Sequence, residues 1–130
     1  MVGARWSPDE LDRIGASEEL KITPVHGGER HGQTVPIWVV RVDDDLYVRS
    51  WRGSDGAWYR AVRESCAAHI SAGGVEQDVE LLDAAGRSDD AADVAYRQKY
   101  RRSPTYVEPM LGPQARATTL RLLPIRTGAT

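Results

Sequence analysis

The sequence predicts an α+β domain, a small antiparallel β-barrel of six strands with three helices inserted. Three observations carry this. Six short apolar stretches are separated by turn-forming glycine, aspartate and proline. Three other stretches combine helix-start signals with apolar residues at helical spacing. The chain has 130 residues, 41% hydrophobic and 28% charged, which is the size and composition of one globular domain.

Ser7-Pro8-Asp9-Glu10 opens the first helix. Serine caps, proline fits the first helical position, and two acids favour the positive end of the dipole. Trp6, just before the cap, is placed for a staple contact with Leu11, and Gly15 ends the helix. Residues 19–25 alternate Leu20 and Ile22 with polar neighbours, a strand expected to stop near Pro24. Residues 26–34, with three glycines and no large apolar side chain, read as a loop. Its His26, Glu29 and His31 match no metal-ligand spacing, so no metal site is expected.

Residues 36–63 form the centre of the chain and hold three of its four tryptophans. Ile37 to Val40 are apolar on both faces, as in a strand covered on each side. Asp43, Asp44 and Asp45 suit a turn, and residues 46–51 return. A three-residue loop sets Val42 opposite Leu46 and sorts the faces. Trp38, Val40, Val42, Leu46, Val48 and Ser50 fall on one; Ile37, Val39, Arg41, Tyr47, Arg49 and Trp51 fall on the other. Residues 52–56 turn into a helix over 57–66, with Asp55 as cap and Trp58 and Val62 on its buried face. Cys66 reads as a small buried residue.

Strands over 68–72 and 75–82 form a hairpin about Gly73-Gly74. Ser88 caps a helix that runs to 101, acidic at its start and basic at its end, with Ala92, Tyr96 and Tyr100 on its packing face. A short turn or helix follows over 106–111, and 115–123 is the last strand.

Composition narrows the function classes. A net charge of −2 gives no global field for nucleic acid, and no recognition motif is present. No stretch approaches the roughly 18–20 apolar residues of a membrane span. The acidic N-terminal stretch is unlike a targeting peptide, so a soluble cytoplasmic protein is expected. Cys66 is the sole cysteine, which excludes an internal disulfide and a cysteine-only metal site.

Chemistry concentrates at residues 49–63, where four arginines stand against the single acid Asp55, a local charge of +3 in a chain that is net negative. Free N–H groups at a helix start, beside small residues and arginines, make an anion site. Arg49, Ser50, Arg52, Gly53, Ser54 and Arg60 are candidates to hold a phosphate, with Trp51, Trp58 or Tyr59 as a wall for a flat ring. The same residues also fit an exposed arginine-rich rim around a core tryptophan.

The run PIWVV…DDLYVRSWRG…WYRA, the helix AYRQKY and the late TTLRLLP resemble an uncharacterised bacterial family of small proteins, over nearly the whole chain. More loosely, the strand, the Ser/Arg turn and the Trp-Tyr helix are similar to the split-barrel flavin and deazaflavin reductases. That resemblance implies a split barrel, a homodimer with the ring system near its interface, FMN or a deazaflavin as cofactor, and phosphate binding at Arg49, Ser50, Arg52, Trp58 and Arg60. The Arg-Lys-Gly signature of the flavin oxidases is not matched, since no lysine separates Arg52 from Gly53.

Three functions follow as expectations. The first is a flavin- or deazaflavin-binding oxidoreductase acting on a small organic substrate. The second binds or converts a small molecule without a cofactor, using Tyr47, Tyr59, Tyr96 and His69 as hydrogen-bonding or acid–base groups. The third is a dimerisation module without ligand.

Overall fold

The computed structural model describes residues 5–87 and 89–126. Among these lie five helices and eight strands. Helix α1 (Pro8–Ala16) starts in a capping box, with Ser7 and Glu10 each accepting from the other's backbone N–H, and it runs one residue past Gly15. Gly15 sits where a Cβ would meet Arg41 at 3.3 Å, so the missing side chain lets α1 lie close on the sheet. Trp6 is buried in the same core cluster as Leu11, and its indole N–H donates to the Leu122 carbonyl at 2.9 Å. Arg126 pairs with Glu10 at 2.5 Å and holds its carboxyl below the usual range, tying the C-terminal end of the fold to α1.

The strands are β1 (Leu20–His26), β2 (Glu29–Arg30), β3 (Val35–Ile37), β4 (Val40–Val42), β5 (Asp45–Val48), β6 (Ala67–Ala72), β7 (Val75–Asp83) and β8 (Leu120–Pro124). Every pairing is antiparallel, in the order β2-β1-β6-β7-β8-β5-β4, with β3 also on β1. Strands β3 and β4 are consecutive and belong to opposite ends of this path, so the chain itself closes the barrel through Trp38 and Val39. Counting β3 and β4 as one broken strand and β2 as a lip on β1 recovers six barrel strands.

Four sequence expectations change here. The 26–34 loop contains the small hairpin β1–β2 about Gly27-Gly28, so β1 runs through Pro24 to His26. The strand over 36–42 is interrupted, because its two halves pair with different neighbours. The aspartate loop has two residues: Val42 pairs with Asp45 and Val40 with Tyr47. Asp43 takes φ +54, a conformation that aspartate tolerates better than most residues. That register puts Val40, Tyr47 and Arg49 on the outer face and Leu46 and Val48 inside, overturning the expected sorting. Residues 113–116 are helical, and the last strand starts only at Leu120.

The hairpin β6–β7 forms as expected, with Gly73 and Gly74 both at positive φ. Inside the barrel, alternate residues such as Ala68 and Ile70, Val79 and Leu81, Leu120 and Leu122 build one core, joined by Leu11 and Ile14 of α1. Helix α2 (Ala57–Ser65) adds Tyr59 and Val62 to it, while Trp58 is only half-buried. Asp55 does not cap α2; the capping position belongs to Gly56, without a side-chain bond. Cys66 is exposed and ends α2 in a left-handed conformation.

A second core lies outside the barrel. Helix α3 (Asp89–Lys99) lays Ala92 and Tyr96 towards β4–β5, with Tyr100 just past its end and α4 (Pro104–Leu111) beside it. The expected Ser88 cap lies outside the described residues. Helix α5 (Pro113–Arg116) follows directly. The end of α3 also secures the strand break. Val39 N–H donates to the Tyr100 hydroxyl at 3.3 Å, Lys99 Nζ donates to the Val39 carbonyl at 2.6 Å, and Trp38 stacks on Tyr100 at 3.8 Å. Backbone groups that lose sheet partners at the break thus regain partners from a helix about sixty residues away.

Burial pushes Lys99 down from 10.5 to about 8 and pushes the Tyr96 and Tyr100 hydroxyls up. Between pH 8 and 10 the folded Lys99 is losing its proton while the unfolded chain retains it, so stability rises with pH. Above about pH 10 the tyrosines ionise more readily in the unfolded chain, and the trend reverses. In urea melts at pH 7, 8, 9 and 10, the wild-type midpoint is expected to gain upon Lys99→Met across this window. Parallel midpoints would contradict the assignment.

Candidate functional site

The end of β5 and the start of α2 face a common groove of about 510 Å³, within the size range of small-ligand sites. Its apolar walls come from Val35, Pro36, Ile37 and Trp38 around the strand break, Trp58 of α2 and Met110 of α4. Trp51 and Tyr106 complete it while remaining 53% and 61% exposed. Glu19 and Arg52 bring opposite charges to it.

The turn that shapes the groove is set by hydrogen bonds. Ser50 N–H donates to Thr118 Oγ1 at 2.8 Å, and the Ser50 carbonyl accepts from Gly53 N–H at 3.0 Å. A 3-10 turn over Gly53–Asp55 then delivers the chain to α2, with Gly53 at φ +66 packed on Gln114. At the start of α2, the N–H groups of Ala57, Trp58 and Tyr59 have no acceptor among the described residues. Ser50 is 1% exposed, and its hydroxyl has no hydrogen-bond partner among the described residues. A Cβ on Gly56 would collide with that hydroxyl, so the glycine keeps the space between Ser50 Oγ and the helix start open. A buried unpartnered hydroxyl beside uncapped helix N–H groups is a donor set that suits an anion.

Of the residues predicted to bind cofactor, Arg49, Ser50, Trp51, Arg52 and Trp58 line this groove. Gly53 and Arg60 do not: Gly53 is buried against Gln114, and Arg60 is exposed on α2. Arg49 has a task other than the one expected. Its side chain is fully buried. Nε donates to Thr119 Oγ1 at 2.9 Å, Nη1 to Asp93 at 2.6 Å and to the Met110 carbonyl at 2.9 Å, and Nη2 to the Asp89 carbonyl at 3.2 Å. It also lies 5.4 Å from the centre of the Tyr96 ring. Arg49 therefore joins β5, α3, α4 and the approach to β8 behind the groove, with its charge matched by Asp93. The acids at the start of α3 complement its dipole, and Asp93 is in addition the counter-ion of this arginine.

The four acid–base candidates do not converge. Tyr47 and Tyr96 lie in the outer core. Tyr59 packs in the barrel core, edge-on to Trp58. His69 lies on β6, between Asp78 at 2.8 Å and Glu76 at 3.1 Å, with Arg30 at 3.1 Å. None of them lines the groove. Sequence reasoning missed the contribution of Pro36, Ile37, Trp38, Tyr106 and Met110. The aromatic run around Trp38 was a signal, but burial alone accounted for it equally well.

The fold is shared with solved structures of low sequence identity. A FAD-binding protein from Mesorhizobium loti aligns with a TM-score of 0.60 at 14% identity, covering 97% of this chain and 95% of that one. The heme storage protein HutZ from Vibrio cholerae gives 0.62 at 12% identity, over 95% and 92%. An F420-H2-dependent reductase gives 0.58 at 13%, over 82% and 93%. These similarities establish the split-barrel architecture. No curated protein matches the chain. Residues 10–122 match a family profile, and the chain belongs to that family, described as an uncharacterised protein conserved in bacteria (DUF2255).

Proposed function

We propose that this protein is an oxidoreductase that holds a flavin or a deazaflavin in the groove and acts on a small organic substrate. The observation that carries the reading is the unpartnered, buried Ser50 hydroxyl beside the uncapped start of α2, at one side of a groove lined by aromatic residues. The residues present fit such a group. Ser50, the Ala57 and Trp58 N–H groups and Arg52 would hold its phosphate, while Trp38, Trp51, Trp58 and Ile37 would enclose its ring. When bound, the cofactor supplies hydride chemistry. The chain's own part is to bind and orient it and to exclude water from one side of the ring.

Structures of the same fold whose names include FAD binding, F420-H2 dependence and heme storage support a cofactor-carrying role for this barrel. The scattered positions of Tyr47, Tyr59, Tyr96 and His69 give the cofactor-free enzyme no comparable support. We also propose a cytoplasmic homodimer in which a second copy covers the exposed faces of Trp51 and Tyr106. No described helix is long and apolar enough to cross a membrane.

Titration with FMN and with a deazaflavin, followed by tryptophan emission, tests the reading. Saturable quenching at one ligand per chain is expected. Arg52→Ala should weaken the phosphate-bearing ligand about tenfold, the scale of one charge-assisted contact, and leave riboflavin unchanged. Binding of neither ring system would remove the proposal.

A further inference from the structure

We propose that the anion site at the start of α2 is matched to a phosphate with a single negative charge, a phosphodiester, and disfavours a dianionic monoester. This rests on the cofactor reading above and adds to it the charge that the site accepts.

The inference comes from counting the charges that face the site. Arg49 lines the groove, yet its guanidinium lies 2.6 Å from Asp93 and 3.9 Å from the Asp89 carboxylate, with no exposed side-chain surface. Its charge is matched before any ligand arrives. Arg116, the next cation of this network, is taken by Asp90 at 3.1 Å and Asp93 at 3.4 Å. Arg52 lines the groove and has no ion pair among the described residues. Arg60 is exposed on α2 and outside the groove. Glu19 adds negative charge within the groove. One cation, one hydroxyl and two or three backbone N–H groups satisfy the oxygens of a monoanion. A second negative charge finds no further unpaired cation in the groove and has the Glu19 carboxylate for company.

A phosphate monoester takes on its second charge with a pKa near 6, whereas a diester keeps one charge throughout. The test is a matched pair: FMN and riboflavin 5′-methyl phosphate, which share ring and ribityl chain, titrated into the wild-type protein at pH 8 and pH 5. The same pair is prepared in the 5-deazaflavin series. At pH 8 the diester should bind about tenfold more tightly, and at pH 5 the gap should close. Because both esters meet the same protein at each pH, ionisation of the chain's own groups largely cancels from the ratio. Asp93→Asn, which releases the charge of Arg49, should narrow the gap at pH 8; if that variant does not fold, the wild-type ratio still decides. A monoester that binds as tightly as the diester at pH 8, or more tightly, overturns the proposal while leaving the cofactor reading standing. Failure of both esters in both series removes the cofactor reading and this proposal with it.

Discussion

Asp93→Ala is expected to destabilise the fold by about 3–5 kcal/mol, the cost of stranding a buried charge whose partner is removed. Arg49 would keep its contacts to Thr119 and to the Met110 and Asp89 carbonyls, but none of those groups carries a counter-charge. The nearest remaining acid is Asp89, at 3.9 Å. Urea unfolding measures the loss directly. The paired replacement Arg49→Met with Asp93→Leu should recover part of it, because removing both charges also removes their desolvation cost. A single Asp93→Ala variant within about 0.5 kcal/mol of wild type would show that the pair is screened like a surface ion pair.

Gly56→Ala is the second large effect, and it acts on the site. Gly56 has φ −63, so alanine meets no backbone strain there. Its Cβ would instead be driven into Ser50 Oγ, with the Gly53 carbonyl 3.4 Å away. Overpacking of this kind costs about 1–3 kcal/mol and closes the space between the hydroxyl and the helix start. Ligand affinity should fall with it. Ser50→Ala in the same chain removes the colliding oxygen and leaves the Ser50 Cβ at an ordinary 3.5 Å, so stability should return while affinity does not. A double-mutant cycle reads this coupling. Additive effects on stability would mean that the hydroxyl does not occupy the space beside Gly56.

What the sequence revealed depended on how local the cause was. The Ser7 cap, the Gly73-Gly74 hairpin and the Ala92-Tyr96-Tyr100 face are set by neighbours a few residues apart, and each was legible. The break at Trp38-Val39 was not. Its two flanking strands read as one apolar run, and the groups that stabilise the break, Lys99 and Tyr100, are about sixty residues away. The aspartate turn failed by a single residue, which moved Trp38, Val40 and Val42 to the face of Tyr47 covered by α3; the pairing of Arg49 with Asp93, 44 residues apart, leaves no local signal. In the groove, Ser50, Trp51, Arg52 and Trp58 could be grouped from the sequence because a turn, a glycine and a helix start adjoin there. Tyr106 and Met110 were not, because only the packing of α4 brings them there.

The central claim is that the groove at the start of α2 holds the ring and phosphate of a flavin-type cofactor. A crystal structure of the chain grown with saturating FMN or a deazaflavin tests it most directly. The phosphate should lie within hydrogen-bond distance of Ser50 Oγ and the Ala57 and Trp58 N–H groups, with the ring against Trp51 or Trp58. A ligand seated elsewhere, or a groove that stays empty at saturating concentration, would contradict it.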